Sequence, residues 1–464
     1  MRLHSFRAPG LVALPLLLAA ASAGAQRATL EREVVTKTLP NGLTVVVAEN
    51  HAVPLATVEV VVRGGAITQQ RDEQGVPHLF EHMLFRSYRA GGVENFGEAA
   101  SRIDAGYNGT TSEESVTYYA TVPAGAAPDA VGLLAHLMID PRFRKEDLQT
   151  ERQVVFGEFN RDISDARGQL HTALERRLWG DSFYLKNTLG DAMSLWSATP
   201  DRLTAIYKRY YLPNNAAVVV TGDVSAPVII AEIEKRFADW KRGADPATAY
   251  PVPELAPLAK SEAVVLNGDV NDITVMMMWP GPRVTADSVD GYAADVVSEI
   301  LNDPDSQFQQ RLVESGLFSH ASIDYLSLAH VGPITFFGTT TRAKFDIALT
   351  ALTRELAMMG DDDYFSESDL AFAKKRRAVD TAMELETSDG MAQSLSYWWA
   401  VTGLDHYYGY VDNLDARTTA DLHGYVKRYI VGRPFVMGAL TPSADAKLAQ
   451  AYLQQFIDFS SMPQ

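Results

Sequence analysis

The chain has 464 residues, of which 41 are Lys or Arg and 58 Asp or Glu, giving a formal net charge of −17; 47% are hydrophobic and none is cysteine. The length is ample for more than one hydrophobic core, and the acidity argues against nucleic acid or an anionic membrane as a partner. Lack of cysteine excludes disulfides, thiolate metal ligands and a lipidated cysteine, leaving stability to packing.

Met1 to about Ala25 has the pattern of a cleavable signal peptide. Arg2 and Arg7 precede an apolar run from Leu11 to Ala20, and Ala23-Gly24-Ala25 supplies small residues for cleavage before Gln26. The run is too short for a transmembrane helix. An exported protein, periplasmic or secreted, is therefore expected, with a mature charge of −17 − 2 = −19 and no membrane span. Next, Pro40-Asn41-Gly42 between the apolar runs of VVTKTLPNGLTVVVAEN predicts a hairpin. LATVEVVVRGGA predicts an inner strand whose Gly64-Gly65 exit passes closely into a helix.

That helix, GVPHLFEHMLF from Gly75 to Phe85, carries the sharpest signal. His78 and His82 stand four apart and project from one face, with Glu81 on the same side. Two neutral imidazoles at this spacing can hold a divalent metal, most often zinc, and the adjacent carboxylate can take a proton from the attacking water. The order H-x-x-E-H is the inverted zincin signature. A catalytic zinc normally has three protein ligands, so a third is needed. Beyond the helix, Gly91-Gly92 mark a loop, Asn95 to Ile103 a short helix, and Gly106 to Thr111 a bend into the strand VTYYATVP. His136, flanked by apolar residues, suits a core histidine. The best third ligand is Glu158, in a helical pattern that begins near Lys145. Glu151 and Glu158, seven apart, fall two turns apart on one face; one can bind metal while the other orients a ligand or the water.

The second half repeats the first. LTAIYKRYYLPNNAAVVVTGDVS from Leu203 is echoed by LHGYVKRYIVGRPFVMGALTPS from Leu422, and EDLQTER at Glu146 faintly by SDLAFAK at Ser368. Between the halves, Pro246, Pro251, Pro253 and Pro257 predict a stiff extended linker over 241–260. The expected fold is α+β: two similar α/β lobes, 28–240 and 261–464, each a mixed or antiparallel sheet with helices packed on it. Where the repeat predicts a second metal helix the chain reads DGYAADVVSEILNDPDSQF, without histidine, so one metal per chain is expected. Asp361-Asp362-Asp363 reads as a solvated loop before a helix capped by Ser366 or Ser368, and Tyr397-Trp398-Trp399 as helix packing.

Around the motif, Arg63-Gly64-Gly65, Met83-Leu84-Phe85, Asn108 followed by Thr110, Tyr118-Tyr119, and YYLPNNAAVVVTGD from Tyr210 to Asp223 give the chain a resemblance to the pitrilysin-type (M16) metallopeptidases, the family of insulin-degrading enzyme and the mitochondrial processing peptidase. In that family a glutamate at the separation seen here (158 − 82 = 76) completes the site, and another seven positions earlier matches Glu151. The resemblance implies one Zn²⁺ on His78, His82 and Glu158, with Glu81 as general base and Glu151 assisting. It also implies peptide substrates laid along a strand edge near Asn108, whose other reading is an Asx turn capping the strand. Relatives supply an Arg and a Tyr from a metal-free lobe, but Gln307 and Ser319 stand in those places here, with Arg311, His320 or Tyr325 as substitutes. A homologous metal-free partner subunit is therefore expected, as a heterodimer or otherwise a homodimer, enclosing peptides or unfolded segments in a chamber. The alternatives are a catalytically silent peptide-binding or scaffold subunit of the same fold, and a metal-dependent hydrolase of a non-peptide amide.

Overall fold

The computed structural model describes residues 34–89, 93, 95–285 and 288–460; the expected signal segment 1–25 and the Gly91-Gly92 loop lie outside them. The first sheet is organised on strand β3 (Leu55–Arg63), whose seven inner residues are all buried. A valine-rich run buried on both faces belongs in the middle of a sheet covered on both sides. Its neighbours follow the order β1-β2-β6-β3-β5-β4, with β1 at Val34–Thr38, β2 at Thr44–Glu49, β4 at Gly106–Thr111, β5 at Ser115–Pro123 and β6 at Ala216–Gly222. Among the described strands of this sheet only β2 and β6 pair in parallel. The predicted hairpin is β1–β2, turning at Gly42 with φ 93°, and Asn41 ties the turn to the Phe237 and Trp240 carbonyls at 3.0 and 3.1 Å.

A second sheet has the order β7-β11-β8-β10-β9, with β7 at Glu262–Gly268, β8 at Ile273–Pro280, β9 at His320–Tyr325, β10 at Pro333–Thr340 and β11 at Val436–Pro442. The two-lobed α+β reading holds. On one face of the first sheet Val58, Val60 and Val62 pack with Leu79, Phe80, Met83 and Leu84 of the helix Val76–Ser87.

The opposite faces show what the sequence did not reveal, because the lobes exchange helices. Helix Ser388–Val401, from the second half, lays Met391, Leu395 and Trp399 on Val46, Val61 and Val219 of the first sheet. Helix Ala166–Trp179, from the first half, lays Leu170, Leu174 and Leu178 on Met276, Met278 and Leu440 of the second. Polar contacts reinforce this seam. Arg63 donates to the Trp399 and Ala400 carbonyls at 2.9 and 3.2 Å, and its guanidinium lies 4.2 Å from the Trp399 ring. Glu114, at the β4–β5 bend, accepts from the backbone amides of Ala329 and His330 at 2.7 and 2.8 Å. Buried Lys186 bridges Glu113 and the Val331 carbonyl at 2.6 and 2.7 Å.

Two local expectations are corrected. The 241–260 segment is not wholly extended: Pro246–Ala249 forms one helical turn, since Pro is accommodated in a first turn and Asp245 caps it. Gly106–Thr111 is no bend but edge strand β4, paired with β5 along its length; its GYNGTT sequence lacks the apolar alternation that signals a strand. Ser366 does cap the helix Glu367–Met383, through a capping box with Asp369. Trp398 stacks on His406 and Trp399 packs in the seam, as packing residues would. His136 is likewise structural, with Nε2 3.0 Å from the Arg89 carbonyl.

Candidate metal centre

Three elements meet at the site. The helix Val76–Ser87 begins at Gly75, in the left-handed region with φ 77°, where a Cβ would lie 2.5 Å from the Leu189 carbonyl oxygen. Pro77 then sits within the first turn, where its missing amide costs nothing. Burying Leu79, Phe80, Met83 and Leu84 turns His78, Glu81 and His82 toward the helix Lys145–Ser164 and strand β4. In that second helix Leu148 and Val155 are buried, which places Glu151 and Glu158, at i+3 steps from them, against the histidines.

His78 Nε2 and His82 Nε2 are 3.3 Å apart, and Glu158 Oε2 lies 3.6 Å from the first and 3.4 Å from the second. A tetrahedral zinc with bonds of about 2.0–2.1 Å needs ligand atoms about 3.3 Å apart. The donors therefore fit zinc in number, type and spacing. Among the described residues this is the one group of three or more His, Asp or Glu side chains found close enough to hold a metal ion.

The surrounding electrostatics prepare these donors. Burial, together with the nearby His82, pushes His78 down to about 4, so its imidazole is neutral at ordinary pH and open to a cation. Desolvation also lowers His82, but the carboxylates of Glu151, Glu81 and Glu158 outweigh it and the net shift is upward. His82 Nδ1 is 3.0 Å from Glu151 Oε1. That bond places the proton on Nδ1 and leaves the Nε2 lone pair for metal. Glu81 is buried and raised above its ordinary value by desolvation, partly offset by Thr111, whose Oγ1 donates to Oε2 at 2.9 Å.

All six residues expected from sequence, His78, Glu81, His82, Asn108, Glu151 and Glu158, line one cavity of about 580 Å³. Asn108 lies within β4 and not at a turn before β5. Thr111 and Gly109, also in the lining, went unrecognised because β4 was not visible as a strand. Arg311, His320 and Tyr325 do not line the cavity. Arg311 is bound to Glu355 at 3.2 Å, and the Tyr325 hydroxyl donates to the Pro282 carbonyl at 2.9 Å.

In the second lobe the helix Ser288–Asn302 repeats the burial pattern of the metal helix at an offset of 295 − 78 = 217, which puts Asp295, Ser298 and Glu299 where His78, Glu81 and His82 stand. These three line a cavity of about 300 Å³ that also includes Arg377. Tyr410 donates to Asp295 and accepts from Arg377, each at 2.7 Å, so a guanidinium supplies the positive charge there.

Comparison with known proteins agrees with this architecture. The family described as insulinase (peptidase family M16) matches residues 44–189, and the peptidase M16 inactive domain matches 197–377. A probable mitochondrial-processing peptidase subunit beta of Arabidopsis thaliana is 27% identical over 220 residues, 47% of this chain and 40% of that protein. An uncharacterized zinc protease of Mycobacterium bovis is 30% identical over 200 residues, 43% of this chain and 46% of that one. The chain thus spans less than half the length of these relatives. Among solved structures, a protease from Helicobacter pylori superposes with a TM-score of 0.80 at 21% identity, covering 88% of this chain and 99% of that one. The first half of the periplasmic protease PqqL from Escherichia coli superposes with a TM-score of 0.74 at 17% identity, covering 93% and 97%. With the insulinase (peptidase family M16) domain and the peptidase M16 inactive domain matched in succession over two similar lobes, the chain belongs to the M16 peptidase family.

Proposed function

We propose that the chain is a zinc-dependent endopeptidase that hydrolyses peptides or unfolded segments. The observation that carries this reading is the His78–His82–Glu158 triangle at zinc spacing, with a buried carboxylate, Glu81, one helical step away. His78 and His82 through Nε2, and Glu158 through Oε2, would hold the ion. A zinc so held would acidify a water and polarise a scissile carbonyl. Glu81 accepts the proton of the attacking water and returns it to the leaving amine. Its raised affinity for a proton suits both halves of that task. Glu151 holds His82 in the Nδ1-protonated form. Edge strand β4 offers unpaired backbone groups beside the site, along which an extended peptide can lie as an added strand with Asn108 in contact.

Gln307 and Ser319 in place of the family's Arg and Tyr, and an Arg311 already committed to Glu355, favour a homologous partner that supplies these donors. Losing them would remove stabilisation typically worth about 3–4 kcal/mol. A subunit named beta among the relatives and the periplasmic PqqL among the structural neighbours support a two-subunit, exported protein. No helix of the described residues is long and apolar enough to cross a membrane.

The test is metal analysis and cleavage of a quenched fluorescent peptide library by the purified chain, alone and mixed with a metal-free homologue. One zinc per chain with activity only in the mixture is the expected result. Zinc without activity in either case would favour the silent scaffold subunit, and absence of zinc would remove the basis of the reading. Glu151→Ala is expected to weaken zinc affinity by about 10–100-fold, because His82 loses the acceptor that fixes its tautomer. Competition against a chelator measures it, and an unchanged affinity would take Glu151 out of the site.

A further inference from the structure

We infer that Thr111 is a positioning residue that clamps the Glu81 carboxylate and ties it to the edge strand beside which substrate would lie. The inference rests on the peptidase reading above. Glu81 reaches β4 across 30 residues of chain, and its two oxygens are treated differently there. Thr111 Oγ1 donates its single proton to Oε2 at 2.9 Å. Oε1 lies over Gly109, where a Cβ would stand only 2.6 Å away. Thr111 and Gly109 are two apart on one strand and so present the same face. One oxygen is thus held by a hydroxyl, and the other lies against bare backbone. Oε1 is left to take the proton, just as the bond from His82 Nδ1 to Glu151 leaves Nε2 for the metal.

The clamp itself is rigid. Thr111 is β-branched and restricted at χ1, and its backbone pairs with Val116 of β5. The bend that follows is fastened to the second lobe by Glu114–His330 and by Lys186, which pairs with Glu113 and also donates to the Val331 carbonyl. A glutamate without this anchor would sample several rotamers in the cavity, and a misplacement near 1 Å costs about 10²-fold in rate. A hydroxyl that only stabilised the strand would leave the base where it is. One that positions the base should act on kcat alone.

The experiment compares wild type, Thr111→Val and Thr111→Ser in the active preparation, with Glu81→Gln alongside. Thr111→Val keeps the shape and removes the donor; Thr111→Ala removes the donor with a smaller side chain should valine disturb the sheet. The expected result is unchanged zinc stoichiometry and KM, kcat lowered by about 10–10²-fold in Thr111→Val, and recovery to near the wild-type value in Thr111→Ser. A crystal structure of Thr111→Val should show the Glu81 carboxylate turned from β4 with the His78–His82–Glu158 triangle intact. Wild-type kcat in Thr111→Val, a change in KM alone, no recovery with serine, or an unmoved carboxylate would each overturn the inference while leaving the peptidase reading in place. Inactive wild type, or an active Glu81→Gln, would instead overturn that reading, and this inference with it.

Discussion

Glu81→Gln retains zinc and loses peptide hydrolysis, with kcat lower by about 10²–10⁴-fold. The substitution preserves the volume of a buried side chain and can still accept the Thr111 hydrogen bond, so the fold and the edge strand are undisturbed. His78, His82 and Glu158 hold no bond to Glu81 that their triangle depends on; their contacts are with one another and with Glu151. What disappears is a basic oxygen able to take the proton of the attacking water. At about 1.36 kcal/mol per tenfold, the loss corresponds to about 3–5 kcal/mol of barrier. Metal analysis paired with single-turnover cleavage checks both halves of the statement. Turnover near the wild-type rate would exclude Glu81 as the base, and loss of zinc would mean that Glu81 supports the ligands rather than the chemistry.

The half of this site on one helix was legible because the helical repeat maps sequence spacing directly onto one face: His78, Glu81 and His82 are within two turns. Glu151 and Glu158 were legible for the same reason, as a pair seven apart, although which would face the histidines was fixed only when Leu148 and Val155 were seen to be buried. Thr111 and Gly109 depend on a contact between a helix and a strand, and β4 gave no alternation to announce itself. The repeat of the Leu203 segment at Leu422 revealed two lobes, but not that each covers the other's sheet. Apolar stripes such as Leu170, Leu174 and Leu178 declare a buried face without saying what buries it. Pro246 was read as a breaker, which is sound for a helix interior and misses its place at the first turn.

The same blindness hid Glu59, which sets the second large expectation: above pH 7, Glu59→Gln stabilises the protein by about 3 kcal/mol, and at pH 4 it changes little. Glu59 sits in the middle of β3 on the face covered by helix Ser388–Val401, fully buried, with neither oxygen hydrogen-bonded. Facing it are Tyr119 of β5 and Val219 of β6 at the same register, Arg63 farther along β3, and Ser396 of the exchanged helix. Burial raises its carboxyl from 4.5 to about 7, against a smaller opposing effect of the nearby Ser396 hydroxyl. A raised value means that the folded protein keeps the proton while the unfolded chain loses it. Below pH 4.5 both states are protonated and the group costs nothing. Between 4.5 and about 7 stability falls by about 1.36 kcal/mol per unit, and above 7 the full cost of about 3 kcal/mol is constant. Glutamine carries no charge at any pH and so removes the slope. Against a total stability of about 5–15 kcal/mol this is a large fraction, and it acts on the helix that joins the two lobes. Urea unfolding of both proteins at pH 4, 6 and 8 should give stabilities that coincide at pH 4 and diverge by pH 8, with the variant higher. Curves separated by the same amount at every pH would mean that Glu59 binds its proton equally well in the folded and unfolded protein.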